Sequence, residues 1–436
     1  MASQEAGSCP VAHVERSLLE TGTLTDPTIR DHPQAFYAAM RSHEPVFYDA
    51  KLGSWLIARY EDAQTVLRDS ETYSAERGYN TQFAKGFIDE FSAILKAEGG
   101  GFFPDVIKSD PPRHTRIRKL TDAAFSAHRV KQLEPGIVEI AADLVEKMLA
   151  KSDRGEQVDG VADFATPMTI RVICKQLGIF DLDPDTIKRW SHALIQQIGM
   201  VQTRDEMVAH ARQVAECQNY LIAQIHDRQA NPKEDMISDL VHARADDDNA
   251  ALDFAETVSL VRALLIAGNE TTSTGMGHLV YILATQPATA QRLYDSIDDD
   301  RLLGRFVEEM LRMDPPIRVT SRMTTREVEL GGKTLPEGAH ILLAYGSLNF
   351  DEREFACPYD FDVDRPNLTR QLAFGAGAHR CIGAALARME LKVAAREIVR
   401  RLDSIKLMIP ADQLSYVPSI ATHRIAFMPI SFTRRA

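Results

Sequence analysis

Five cysteines stand at positions 9, 174, 217, 357 and 381, and one of them sits where a metal could be held. Phe374 to Gly383 reads FGAGAHRCIG. A single cysteine ends a loop containing Gly375 and Gly377, and a stretch of small residues follows that can open a helix. Glycines let the backbone turn tightly and aim its N–H groups at the sulfur. Those donors and the helix N-terminus favour a thiolate, and a thiolate held this way suits a metal. Read alone, the segment also allows an inert cysteine beside a turn. The other four cysteines lack such a loop. With no CxxC pair, neither a disulfide framework nor a structural zinc site is indicated.

Three further groupings could carry chemistry. Glu309 and Arg312 are spaced i, i+3, which in isolation makes an ordinary helix-surface ion pair. Ala267-Gly268-Asn269-Glu270-Thr271-Thr272 puts glycine and threonine into an otherwise apolar helix, where they are poor helix formers. A threonine hydroxyl there can bond back to a carbonyl, bend the helix and open a niche. In Asp110 to Arg118, a proline starts a helix that carries His114 and Arg118 on one face. That pair suits a carboxylate.

Taken together, these segments resemble the cytochrome P450 family. Phe374, Gly375, Gly377, His379, Cys381 and Gly383 fill every fixed position of its Phe-Gly-x-Gly-x-His/Arg-x-Cys-x-Gly loop. The likeness runs from about Pro45 to Phe427. It implies haem b as cofactor, with Cys381 as the axial iron ligand. Ala267, Gly268, Phe374, Gly375 and Gly383 would then contact the cofactor, and His114, Arg118, Arg322 and His379 would hold its propionates. Glu309, Arg312 and Arg365 are implied as a buried network bracing the loop. Glu270 and Thr271 match the family's acid–alcohol pair, which delivers protons to the oxygen being activated, and donation from the thiolate assists the same step. Phe350, where relatives often have Arg, and Cys357, where Asp is common, are the departures.

The resemblance also implies a monooxygenase that acts on a hydrophobic small molecule with O2. Electrons from NAD(P)H would arrive through a ferredoxin or flavodoxin-like donor. A lid is expected between Glu76 and Pro104, made mobile by Gly99 to Gly101, with the turn from Leu194 to Thr203 beside it. Phe83, Phe87, Phe91, Phe102, Phe103, Leu264, Val319 and Ile420 are candidate pocket residues. Arg318 either meets a substrate carboxylate or faces solvent. Two other classes remain open at this stage. One is a peroxide-driven peroxygenase, which would usually lack the Glu-Thr pair. The other is a non-catalytic haem-thiolate sensor, which would need no proton relay.

The elements that must position these residues are mostly helical. Gln132 to Lys151 and Glu206 to Gln229 space apolar residues three and four apart. The clearest helix runs from Asp253, a cap with Glu256 three residues on, to Thr285 before Pro287. Pro45 to Tyr60 reads as two strands around a Lys-Leu-Gly turn. Short strands follow Pro315, with turns at Gly331-Gly332 and Pro336 to Gly338, and a β-like tail is expected near Pro418 to Phe427. The predicted fold is mainly α with minor β, one large unit over 31–436 after a loose arm at 1–30. A net charge of −12 argues against nucleic acid as partner. No apolar run reaches the roughly 20 residues of a membrane span. With no apolar leader, the chain is expected to reside in the cytoplasm. Residues 108–131 nonetheless hold seven Lys/Arg against two Asp/Glu, which suggests docking of an acidic partner.

Overall fold

The computed structural model describes residues 15–83, 86–122, 125, 127–244 and 250–435. Ten strands occur among them: β1 (Val46–Asp49), β2 (Ser54–Ile57), β3 (Tyr73–Ser74), β4 (Val158–Asp159), β5 (Val319–Thr324), β6 (Val328–Leu330), β7 (Lys333–Leu335), β8 (His340–Ala344), β9 (Leu402–Leu407) and β10 (Pro429–Arg434). The main sheet has the order β1-β2-β8-β5-β3, and only β2 and β8 run parallel, with Trp55 opposite Ile341. Smaller sheets are β4-β10-β9 and the hairpin β6-β7.

Helices supply the rest. The central helix, Phe254–Thr285, begins at Asp253, whose side chain accepts from the Glu256 N–H while Glu256 reaches back. It is buried along most of its length, as its all-round apolar surface requires. Around it lie the helices Thr166–Leu177, Arg204–Ala230, Asp300–Met313 and Ala384–Arg401. Phe164, Met276, Leu279, Met310 and Leu391 belong to the largest core cluster, which joins the central helix to Thr166–Leu177, Asp300–Met313 and Ala384–Arg401, while Cys217 and Leu221 of Arg204–Ala230 belong to a second cluster. No helix among the described residues is long and apolar enough to cross a membrane.

Two expectations need correction. The expected arm is packed from its second half onward: Leu19 and Leu24 are buried with Phe36 and Phe47, and only residues 1–14 of it, with Cys9, lie outside the described residues. The stretch 418–427 is not a strand. It makes isolated bridges, Ile317 to Thr422 and Tyr416 to Ile425, and the true strand β10 comes after it. Alternation alone misplaces it because this segment follows the core surface instead of a neighbouring strand.

A buried polar knot fixes that segment. His423 Nδ1 lies 2.9 Å from Asp314 Oδ2, and His278 of the central helix lies 3.2 Å from the same carboxylate. Burial pushes the His423 pKa down from 6.5 to about 4; Arg318 adds to the shift and Asp314 opposes it. Burial pushes the Asp314 carboxyl up, but His278, His423 and Arg318 outweigh it and hold it below the ordinary range. Between pH 6.5 and 4 the unfolded chain binds a proton at His423 that the native one refuses. Stability therefore falls with pH across that window, by up to about 1.4 kcal/mol per unit from this group. The Asp314 contribution is intact above the unfolded carboxylate pKa and is lost as pH falls further. Urea titrations from pH 7 to 4 should show this slope, and His423→Gln should flatten it. An unchanged slope in the variant would rule the knot out as its source.

Candidate active site

The cysteine loop is closed by its own backbone. The Cys381 N–H donates to the Phe374 carbonyl at 2.9 Å, and the Arg380 N–H to that of Gly377 at 3.1 Å. Gly377 has φ +69°, and a Cβ there would lie 2.1 Å from the Leu67 carbonyl oxygen, so only glycine fits. Gly383 caps the helix Ala384–Arg401. Cys381 is open to the cavity, where desolvation pushes its thiol up, while the Gly383 N–H, Lys108, Arg118 and Arg388 pull it down. Desolvation wins, contrary to the expectation that the loop alone favours the thiolate. A metal at the sulfur would supply the missing stabilisation.

Behind the loop, Arg312 grips Glu309 with two bonds of 2.7 and 2.9 Å, and Arg365 reaches the same carboxylate at 3.3 Å. The Asp362 N–H adds a bond of 2.9 Å. Arg312 also donates to the Asn349 carbonyl, and the Asn349 side chain accepts from the Leu372 N–H two residues before Phe374. The braced network thus reaches the loop through one asparagine. Phe350 is buried and lies over the Arg312 guanidinium at 5.4 Å. The Cys357 carbonyl accepts from Arg365. Both departures from the family pattern therefore belong to this support.

A cavity of about 360 Å³ lies between the loop and the central helix. Cys381, Phe374, Gly375 and Gly383 form one wall, and Ala267, Gly268 and Thr271 another. His114, Arg118, Arg322 and His379 all line it. The His114 and His379 rings lie tilted against each other with centroids 4.0 Å apart, and among the described residues no side chain accepts from or donates to His379. Burial first, then Arg322 and its cationic neighbours, hold His379 well below its ordinary pKa. Arg322 is buried and, among the described residues, donates only to the Ser321 carbonyl. Among the described residues, His114, His379 and Arg322 are not paired with a carboxylate, and cationic or donor groups left so fit an anionic edge on an otherwise apolar group. A cysteine sulfur in the opposite wall fits a metal at that group's centre. Haem meets all three demands.

On the central helix, the Thr271 hydroxyl donates to the Ala267 carbonyl at 2.8 Å, the back-bonding that bends a helix. Glu270 does not face the cavity. Its carboxylate is buried and paired with Arg424 at 3.4 Å. Burial raises the Glu270 pKa, and Arg424 and Lys188 moderate the rise. A Cβ on Gly268 would come within 3.2 Å of Ile173, so this glycine also lets two helices approach.

Of the candidate pocket residues, Phe83, Phe91, Phe102, Phe103, Leu264 and Val319 line the cavity. Phe87 and Ile420 do not: Phe87 packs under the lid with Phe91 and Leu95, and Ile420 is core beside Val319. Arg318 meets neither a cavity nor solvent; it is buried, 3.4 Å from Asp314. The glycine hinge expected to be mobile is held. Gln218 donates to the Gly99 and Gly101 carbonyls, and Arg262 to the Phe103 carbonyl and to the Gln218 side chain. Tyr79, Lys108 and Arg262 line the cavity unforeseen. Arg262 was visible as the lone charge between Glu256 and Glu270, and a charge inside a buried helix marks a site.

The basic stretch is largely spent internally. Arg113 and Arg116 both bind Glu256, Arg118 pairs with Asp122 at 3.3 Å, and Arg129 pairs with Asp239. Arg113 and Arg129 keep 40% and 52% of their side chains exposed, so a positive face persists there.

Residues 30–408 match the cytochrome P450 family. Among curated proteins, the chain is 36% identical over 369 residues to the mycinamicin IV hydroxylase/epoxidase of Micromonospora griseorubida, covering 83% of this chain and 85% of that one. It is 32% identical to the 6-deoxyerythronolide B hydroxylase of Saccharopolyspora erythraea, covering 90% and 94%. Among solved structures, cytochrome P450 CREJ in complex with (4-ethylphenyl) dihydrogen phosphate superposes with a TM-score of 0.85 at 29% identity, covering 92% and 98%.

Proposed function

The chain belongs to the cytochrome P450 family and is a haem b monooxygenase; from that premise we propose that it inserts one oxygen atom of O2 into a hydrophobic small molecule, using electrons from NAD(P)H passed on by a ferredoxin-type partner in the cytoplasm. The observation that carries this reading is the single cavity shared by Cys381, the buried cations and Thr271. Bound there, the haem supplies oxygen activation, and the protein's own groups bind, orient and protonate.

Cys381 would hold the iron, and Ala267, Gly268, Phe374, Gly375 and Gly383 would line the macrocycle. His114, Arg118, Arg322 and His379 would anchor its edge. Thr271 would present its hydroxyl to the reacting oxygen, a geometry supported by its bond to Ala267. Glu270, one residue away and tied to Arg424, would act behind it as the proton reservoir. Substrate would rest against Phe83, Phe102, Phe103, Leu264 and Val319, whose apolar surface favours a hydrophobic ligand. The exposed arginines near residue 113 would receive the acidic electron donor. Arg118 donates to the carbonyl of Arg380, which adjoins Cys381, and so places that face against the ligand loop.

Thr271→Ala tests the relay. The variant should consume electrons at near the normal rate yet yield several-fold less product per electron, the surplus appearing as peroxide or water. Unchanged coupling, read as product formed per NAD(P)H, would remove Thr271 from proton delivery. Full turnover with peroxide and no donor would favour a peroxygenase instead.

A further inference from the structure

The cation cradle is one full charge richer than the sequence pattern shows. Lys108 lies in a segment clamped at both ends. The Asp105 carboxylate accepts from the Ile107 and Lys108 N–H groups at 2.8 and 3.3 Å, and Asp110 accepts from the Ala75 N–H at 2.8 Å. This clamp sets the Lys108 side chain into the cavity wall. Its ammonium has no hydrogen-bond or ion-pair partner among the described residues, and its charge acts on Arg322, His114 and His379. Burial lowers its pKa, Arg322 adds to this, and Asp105 opposes it.

Two carboxylates need two cations, and the four pattern residues supply fewer than that in buried form. The His114 and His379 rings lie 4.0 Å apart, where two imidazolium charges would repel each other, and burial drives His114 toward the neutral form. Arg118 is shared with Asp122. Arg322 alone is a buried, uncommitted full charge. We propose that Lys108 pairs with one haem propionate while Arg322 holds the other, so that Lys108 sets how firmly the cofactor is retained. An unpaired ammonium beside an arginine is costly in a low-dielectric wall, and a propionate removes that cost.

The inference rests on the haem-thiolate reading and can fail without it. The test follows haem transfer from the holoenzyme to excess apomyoglobin. Lys108→Met should release haem about tenfold faster than wild type, and Lys108→Arg should restore most of the retention. After reconstitution with the iron protoporphyrin dimethyl ester, whose propionates are uncharged, wild type and Lys108→Met should release it equally fast. Equal release of natural haem by both would overturn the proposal. So would a Lys108→Met effect that persists with the ester, since it would mean that the lysine only shapes its loop. A wild-type protein that holds no thiolate-ligated haem would instead overturn the reading beneath it.

Discussion

Cys381→Ala is expected to abolish the strongly red-shifted Soret band of the dithionite-reduced carbon monoxide complex and to reduce product formation to the uncatalysed background. Among the described residues no other cysteine lines the cavity to replace its sulfur. Cys174 and Cys217 are buried elsewhere, and burial pushes both thiols up to about 12. Electron donation from the thiolate favours O–O cleavage, and a neutral ligand in its place lacks that push. Because Cys381 closes its loop through backbone bonds, the fold should survive, and circular dichroism should show this. A red-shifted band persisting in the variant would dismiss Cys381 as the ligand.

Glu309→Ala should do the opposite, losing the fold before the chemistry. It would strand the Arg312 and Arg365 side chains, exposed by 0% and 4%, without a counter-charge. Removing one partner of a buried ion pair typically costs about 3–5 kcal/mol. The variant should unfold at markedly lower urea and retain little haem, because the Asn349 link to Leu372 depends on Arg312. Replacing Glu309 by Leu together with Arg312 by Met should recover part of the loss, since an apolar pair leaves fewer stranded charges. A Glu309→Ala protein of wild-type stability would mean that the network braces nothing.

The sequence was most readable where local chemistry dictates local structure. The capping box at Asp253 and Glu256 announces the central helix, and Gly375 and Gly377 announce the cysteine loop. Glu309 and Arg312 were visible as a pair, but their burial was not. Depth is a tertiary property, and their spacing serves a surface pair equally well. Arg424, Gln218 and Arg262 were not readable in their roles. Each meets a partner far along the chain, and no period or motif encodes such a meeting. The tail at 418–427 misled for the same reason: its alternation records burial against the core and not pairing with a strand.

The parallel pairing of β2 with β8 has a consequence for how the molecule is made. Ile57 is synthesised long before its neighbour Leu343. At about 5–20 residues per second the wait is on the order of tens of seconds. Throughout it, the hairpin of β1 and β2 leaves the ribosome with one edge open, and the cavity has no floor because residue 381 comes later still. The first half of this chain thus depends on its nascent surroundings to keep that edge from pairing elsewhere, and cofactor capture becomes a late, post-translational event. Production in a fast-translating host without added haem precursor should therefore yield aggregated chain before it yields soluble apoprotein.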